Sequence, residues 1–207
     1  MHKVHSEAGI DSLSSPTCST PQTDGSLIAQ LGPHHRDRIR SHLVSLPEDD
    51  RRLRFGYPIS DVSISRYVRG IQFFRDAAFG AFDEDGRLLG FGHLALGDGE
   101  AEFAVSVDST ARRCGAGRAL LLRGLEHARN RGHPVLMMVF MPENAALASL
   151  ARRAGMQIVC ELAECRAHIG LHPGTAESLL GEAWRETIAS IDLGLRLGRQ
   201  PDTVTSA

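Results

Sequence analysis

No apolar run in this chain approaches the roughly 20 residues needed to span a bilayer, and its first residues lack the apolar core of a signal peptide. The sequence therefore predicts a soluble, cytoplasmic protein with no membrane partner. An excess of charge is also missing: 23 Lys and Arg stand against 25 Asp and Glu, a formal −2 at pH 7. Without a global field nucleic acid is not an expected partner, and any charged ligand must be read from local clusters. The four cysteines, Cys18, Cys114, Cys160 and Cys165, show no paired metal spacing, since Cys160 and Cys165 have no second Cys or His pair at zinc distance. They read as reduced thiols, and no metal is expected.

What is present suits one domain. With 207 residues and 42% hydrophobic content, the chain can bury one sizeable core. Residues 1–25, rich in Ser, Thr, Pro and His and without apolar periodicity, read as a disordered leader. A first strand is expected over 26–31, stopped by Gly32-Pro33, and Ile39, Leu43 and Leu46 then space a helical face. Pro47-Glu48-Asp49-Asp50 starts a second helix, with Pro in its first turn, and leads into a cationic, aromatic stretch from Arg51 that ends at Pro58. Ile64, Tyr67, Val68 and Ile71 mark a third, with Ser60 or Asp61 as its cap. Strands over 77–83 and 87–96 meet at Asp85-Gly86, a hairpin signal, and His93 shares the apolar face of Phe91, as a core histidine does.

The rest is arranged around residues 100–156. Alternation from Ala101 to Asp108 marks a strand, Arg112-Arg113-Cys114-Gly115-Ala116-Gly117-Arg118 is a glycine turn, and Ala119-Leu120-Leu121-Leu122 opens a helix that Gly132 and Pro134 close. Gly115 and Gly117 let several N–H groups converge at the helix N-terminus, where the dipole adds positive charge. That is the geometry of a phosphate site. A P-loop or dinucleotide-binding module is not indicated, because the Lys-Ser/Thr pair and the third glycine are missing. The continuous apolar run 135–140 predicts a central strand buried on both faces. Asn144 begins another helix with Leu147, Leu150 and Ala151 inward, and strands over 157–162 and 164–171 form a hairpin. A last helix, from about 175 to 197, carries Leu180, Trp184, Ile188, Ile191 and Leu195 on one face. That face must cover the domain or meet another subunit, as in a homodimer. Residues 199–207 read as a frayed tail.

Taken in order, Arg112-x-x-Gly115-x-Gly117, a helix, a strand and Asn144-x5-Leu150-x4-Gly155-Met156 resemble the acetyl-CoA signature of the GNAT N-acetyltransferase superfamily, in particular the GNAT domain of protein-lysine acetyltransferases. The resemblance implies an α/β (α+β) fold: a mixed, mostly antiparallel central sheet of six to seven strands with helices on both faces. The GNAT domain would span 26–172, with the amphipathic helix of 173–198 beyond it. Acetyl-CoA is the implied co-substrate, with pantetheine on Val105, Ser106 and Val107, where two strands splay, the pyrophosphate on the amides of Arg113, Cys114, Gly115, Ala116, Gly117 and Arg118, and Arg112 also in the cofactor site. Asn144 would hold the pantetheine arm, and a backbone N–H near Val105 the developing oxyanion.

Glu102 resembles the glutamate that lysine acetyltransferases use as base, so it is the catalytic candidate; its task is to take the proton of an amine acceptor. A protein lysine stands slightly ahead of a small amine as that acceptor. Residues 51–58 would cover it. Many small GNAT enzymes carry a tyrosine seven residues after the motif asparagine as general acid; here Ala151 stands there, so the thiolate leaves unaided or with Ser149 or water as donor. The alternative function is a non-catalytic acyl-CoA sensor that works through its last helix.

Overall fold

Each element closes on a local signal, and the signals lie where the chain turns. The computed structural model describes residues 27–198; the expected leader and tail lie outside them. β1 (Leu27–Gln30) is followed by a 3-10 turn at Pro33–His35, where His35 Nδ1 accepts from Gly32 N, and then by α1 (Arg36–Ser45). α2 (Glu48–Phe55) has Pro47 as its N-cap, not in its first turn. It ends at Gly56, whose left-handed φ of 80° lets its N–H donate to Arg52 O, two residues before Pro58. Ser60 caps α3 (Asp61–Gly70) by accepting from Ser63 N.

β2 (Ala77–Phe82), β3 (Leu88–Leu96) and β4 (Glu100–Val107) form an antiparallel meander. α4 (Ala116–Asn130) then carries the chain across to β5 (Val135–Phe140), which pairs parallel with β4, as a helical crossover permits. α5 (Ala145–Arg153), β6 (Gln157–Glu161), β7 (Glu164–Gly170) and α6 (Ala176–Gly198) complete the fold. The strand order is β1-β2-β3-β4-β5-β7-β6, a seven-stranded mixed and mostly antiparallel sheet, as the sequence implies.

Helices cover both faces. One layer joins Phe79, Phe103, Leu120, Leu121, Leu136 and Met138 under α4 and α5; the other joins Ile39, Leu43, Ile64, Phe82 and Phe91 under α1 and α3, with Ala189 and Leu193 from α6. The ring of Phe103 is seated against Gly124, where a Cβ would lie 2.7 Å from two ring carbons. This close approach sets the distance between α4 and the sheet.

Three expectations need correction. β5 is central in order but buried on one face alone: Leu136, Met138 and Phe140 point into the core, while Val135, Met137 and Val139 are half-buried. The helices on that second face reach β3 and β4, and beyond them it opens into a cavity. Cys160 and Cys165 are not reduced thiols but a disulfide, because the β6–β7 register sets them directly opposite with their Cα atoms 4.0 Å apart. That removes the support the cysteines lent to a reducing compartment.

The third correction concerns one of the two alternatives for α6: its apolar stripe does not cover the domain, because the helix docks by its other side. Glu186 accepts from Gln30 N at 3.1 Å and from Arg123 at 2.6 Å, and Glu182 is 2.6 Å from both His127 Nδ1 and Asn130 Nδ2. Leu180, Trp184, Ile188, Ile191 and Leu195 remain 73, 69, 50, 61 and 58% exposed. The inward face joins these polar anchors on β1 and α4 to the buried Ala189 and Leu193, a smaller apolar set than the exposed stripe.

Candidate active site

The parallel ladder between β4 and β5 runs through three pairs, Glu100–Val135, Ala101–Leu136 and Glu102–Met137, and stops; β4 continues to Val107 and β5 to Phe140. The strands part at Glu102. At the far end of β4, Asp108 closes a short 3-10 turn by accepting from Thr110 N and Oγ1 at 2.9 and 2.8 Å, and Arg87 pairs with it at 2.9 Å. Arg113 and Gly115 then take left-handed φ values of 64° and 87°, which turn the chain into α4. The first bond across that turn is Ala119 N to Gly115 O, so the amides of Ala116, Gly117 and Arg118 precede the helical ladder, as the first donors of any helix do. A Cβ on Gly117 would meet Val107 and Leu150 at 3.5 and 3.9 Å, ordinary contact distances. Packing does not demand a glycine there; its lack of a side chain keeps the space above the helix N-terminus clear.

Glu102 lies exposed on the second face, in register with Ala95 of β3 and Met137 of β5, at the fork itself. A cavity of about 240 Å³ joins it to Glu100, Met137, Arg75, Leu96 and Gly97. A second, of about 290 Å³, is lined by Glu100, Val135, Met137, Arg166 and His168. Both share Glu100 and Met137, so one mouth with an apolar floor runs along the outer face of β4 and β5, its rim carrying Glu100 and Glu102 together with Arg75, Arg166 and His168.

α2 bridges the opening between the strands. Asp50 pairs with Arg112 of the glycine turn, and Arg52 reaches Glu143 at 2.8 Å and the Met141 sulfur at 3.4 Å, just before α5. Asn144 caps α5, its Oδ1 accepting from Leu147 N at 3.0 Å. Of the strand residues expected to meet a ligand, Val105 and Val107 share the α4 side with Phe103, whereas the Ser106 side chain turns behind the sheet. There its hydroxyl is 3.0 Å from His42 Nε2. Ser106 can offer a ligand its backbone alone. Cys114 is an exposed free thiol in the glycine turn.

A family model described as "Acetyltransferase (GNAT) family" matches residues 44–156, more than half of the chain, with the fork at Glu102, the glycine turn and Asn144 inside the match. The chain belongs to the GNAT acetyltransferase family. Among curated relatives, a mycothiol acetyltransferase from Mycolicibacterium vanbaalenii is 40% identical over 93 residues, covering 41% of this chain and 31% of that protein. One from Clavibacter sepedonicus is 37% identical over 78 residues, covering 37% and 26%. The matched stretch thus spans about a third of these relatives or less. In fold the GNAT chain is similar to the GNAT domain of S. lividans PAT, with TM-score 0.60 and 19% identity over 70% of this chain and 90% of that one. It is also similar to the Escherichia coli ribosomal-protein-S18-alanine N-acetyltransferase, with TM-score 0.57 and 18% identity over 73% and 97%. A Salmonella typhimurium protein solved with its cofactor acetyl-CoA gives 0.57 and 15% over 73% and 96%.

Two features of this GNAT site were not legible in sequence. The first is a polar chain through the second face: Arg54 donates to the Tyr67 hydroxyl at 3.0 Å, Tyr67 meets His93 Nδ1 at 2.8 Å, and His93 Nε2 stands 3.5 Å from Asp76. Burial holds the His93 pKa down at about 4, with the Arg54 charge acting the same way, so the ring is neutral at pH 7. With Tyr67 donating to Nδ1, the ring proton is assigned to Nε2, toward Asp76. Burial alone would raise the Asp76 pKa, but the Gln72 N–H and Arg75 hold it below the usual carboxylate range. The second feature is the α2 bridge. Its charges stand out in the stretch 48–54, but their partners lie 62 and 91 residues away. At Ala151, where the family tyrosine would stand, the side chain is wholly buried, so α5 offers no proton donor there. Among the described residues no group of three or more His, Cys, Asp or Glu is placed to hold a metal, and no helix is long and apolar enough to cross a membrane.

Proposed function

We propose that the chain is an acetyl-CoA-dependent N-acetyltransferase that moves an acetyl group to a primary amine by direct attack, with Glu102 as the base. The observation that carries this reading is the position of Glu102 at the point where β4 and β5 part, between the cavity it lines and the open edge of β4. The remaining residues fit the co-substrate: the open β4 edge at Val105–Val107 suits an amide-bearing arm, and the Ala116–Arg118 amides with the helix dipole suit a pyrophosphate. Arg113 and Arg118 add positive charge around that turn, whereas the charge of Arg112 is met by Asp50. Asn144, whose carbonyl oxygen is engaged in the cap, keeps its NH₂ to donate to the arm.

Bound acetyl-CoA supplies the activated acetyl group. The chain's own part is to seat an ammonium and deprotonate it. Met137 and Val135 receive the aliphatic stem of the amine, and Glu102 at the fork takes the proton so that the nitrogen lone pair is free to attack. The nitrogen–carbon bond forms and the carbon–sulfur bond breaks, and the second proton shed by the acylated nitrogen passes through water to the departing thiolate, since Ala151 provides no donor. The mouth is shallow and open, which suits an amine presented on a lysine side chain. The curated relatives carry the name mycothiol acetyltransferase, and that favours a small amine as the second reading.

Thiol release from acetyl-CoA, followed across lysine peptides, peptides with an N-terminal alanine and small amines, tests this. Glu102→Gln keeps shape and co-substrate binding but removes the base, so turnover falls by roughly 10²- to 10⁴-fold on the best acceptor, with partial rescue at higher pH. A glutamine variant with wild-type turnover assigns the base elsewhere. A wild-type protein that binds acetyl-CoA and acetylates none of the panel supports the sensor.

A further inference from the structure

The exposed side of α6 is the largest apolar feature that the proposed reaction leaves without a role. Leu180, Trp184, Ile188, Ile191 and Leu195 each expose half or more of their surface. Together they leave on the order of 600 Å² open, at the upper end of patches on single chains and near the roughly 800 Å² each partner contributes to a standard interface. The charged positions beside them are engaged within the chain: Arg185 with Glu126, and Asp192 with Arg196.

We infer that this face binds a second copy of the same chain, as an antiparallel pair of α6 helices related by a two-fold axis. Within the face, the residue intervals of Trp184, Ile188, Ile191 and Leu195 are four, three and four, which read identically from either end, with Leu180 one turn beyond this set. Such spacing suits a two-fold antiparallel pair, in which each apolar side chain meets another when the helix is reversed. With the axis between Ile188 and Ile191, Ile188 lies opposite the partner's Ile191 and Trp184 opposite the partner's Leu195. Thr187 and Gly194 flank the stripe on one side and Gly181 on the other, and their small size lets the helices approach. Charge selects against a lipid surface: α6 carries four acidic and two basic residues and no lysine, the reverse of what anionic headgroups attract.

Sedimentation velocity on the full chain over a concentration series tests this, with emission of Trp184, the only tryptophan, read on the same samples. A one-chain mass on dilution and a two-chain mass on concentration are expected, with a blue shift as the indole is covered. Ile188→Glu and Ile191→Arg are each expected to weaken the dimer by about a hundredfold or more, since a two-fold interface counts every change twice. Both sites are exposed in the single chain, so circular dichroism of each variant should match wild type. Mixing the two variants should restore dimers, because the register places the introduced charges opposite each other. One-chain mass at every concentration, or a dimer indifferent to both substitutions, overturns the inference. So does failure of the mixture to recover, or a monomer whose Trp184 blue-shifts on phosphatidylserine vesicles.

Discussion

Gly115 shows how one residue can hold two functions at once. Its φ of 87° lies where a Cβ meets the backbone, and a β-branched side chain there is a severe outlier. The same conformation aims the following amides into the space above α4. Gly115→Val is therefore expected to abolish the stabilisation that excess acetyl-CoA gives, about 2.7 kcal/mol at a hundredfold excess over the dissociation constant, beyond any loss of intrinsic stability. Thermal melts with and without acetyl-CoA separate the two effects; a folded variant that keeps the full ligand shift moves the phosphate site elsewhere. Tyr67 makes a contrasting case, since its hydroxyl serves two half-buried partners. Tyr67→Phe leaves His93 Nδ1 without its donor and Arg54 without its acceptor, and the expected cost is about 1–3 kcal/mol in urea unfolding. A loss within error would show that water replaces the hydroxyl.

Among elements, α4 is where helix propensity and packing disagree. Alanine is favoured over glycine by about 1 kcal/mol inside a helix, yet at Gly124 its methyl would lie 2.7 Å from the Phe103 ring. Overpacking of this kind costs about 1–3 kcal/mol, so Gly124→Ala is expected to destabilise on balance, read as a lower urea midpoint at unchanged slope. An unchanged or raised midpoint would mean that the ring shifts freely. That conflict is invisible in sequence, where Gly124 reads as a mere weakness in a helix. Element ends were legible because their causes are local: Ser60 caps the helix it precedes, Asp85-Gly86 turns the hairpin, Gly115 breaks into α4. The glycine turn and Asn144 were legible for the same reason. Which face an element buries was not, because partners distant in sequence decide it. Gln30 and Glu186, 156 residues apart, help fix the roll of α6. The uniform apolarity of β5 hid an alternation that the helices over β3 and β4 impose. The cysteine pair was a different failure: hairpin register, not metal spacing, was the informative question for Cys160 and Cys165.

At the scale of the whole molecule, buried imidazoles set how stability responds to acid. His35, His42 and His93 are each held down to a pKa of about 4, chiefly by burial, from an ordinary value of 6.5. Charged groups facing His42 pull both ways, Asp108 raising its pKa and Arg54 and Arg87 lowering it, but desolvation exceeds them. The folded chain therefore binds fewer protons than the unfolded chain between pH 6.5 and 4, so stability is full above 6.5 and is lost as pH falls toward 4. Glu182 adds a second window. Burial would raise its pKa, but hydrogen bonds from His127 and Asn130 hold it at about 2, below its ordinary 4.5. Its contribution is present above 4.5 and is lost as pH falls through 2, loosening the anchor of α6 on α4. Thermal midpoints measured from pH 8 to 3 are expected to stay level down to about 6.5 and then fall steadily. His42→Gln should lower the plateau, since it disturbs the bond to Ser106, while making the fall between 6.5 and 4 shallower because one proton acceptor has gone. If the variant's curve runs parallel to the wild type through that window, His42 is not neutral in the folded chain, and its burial against Ser106 is less complete than the structure shows.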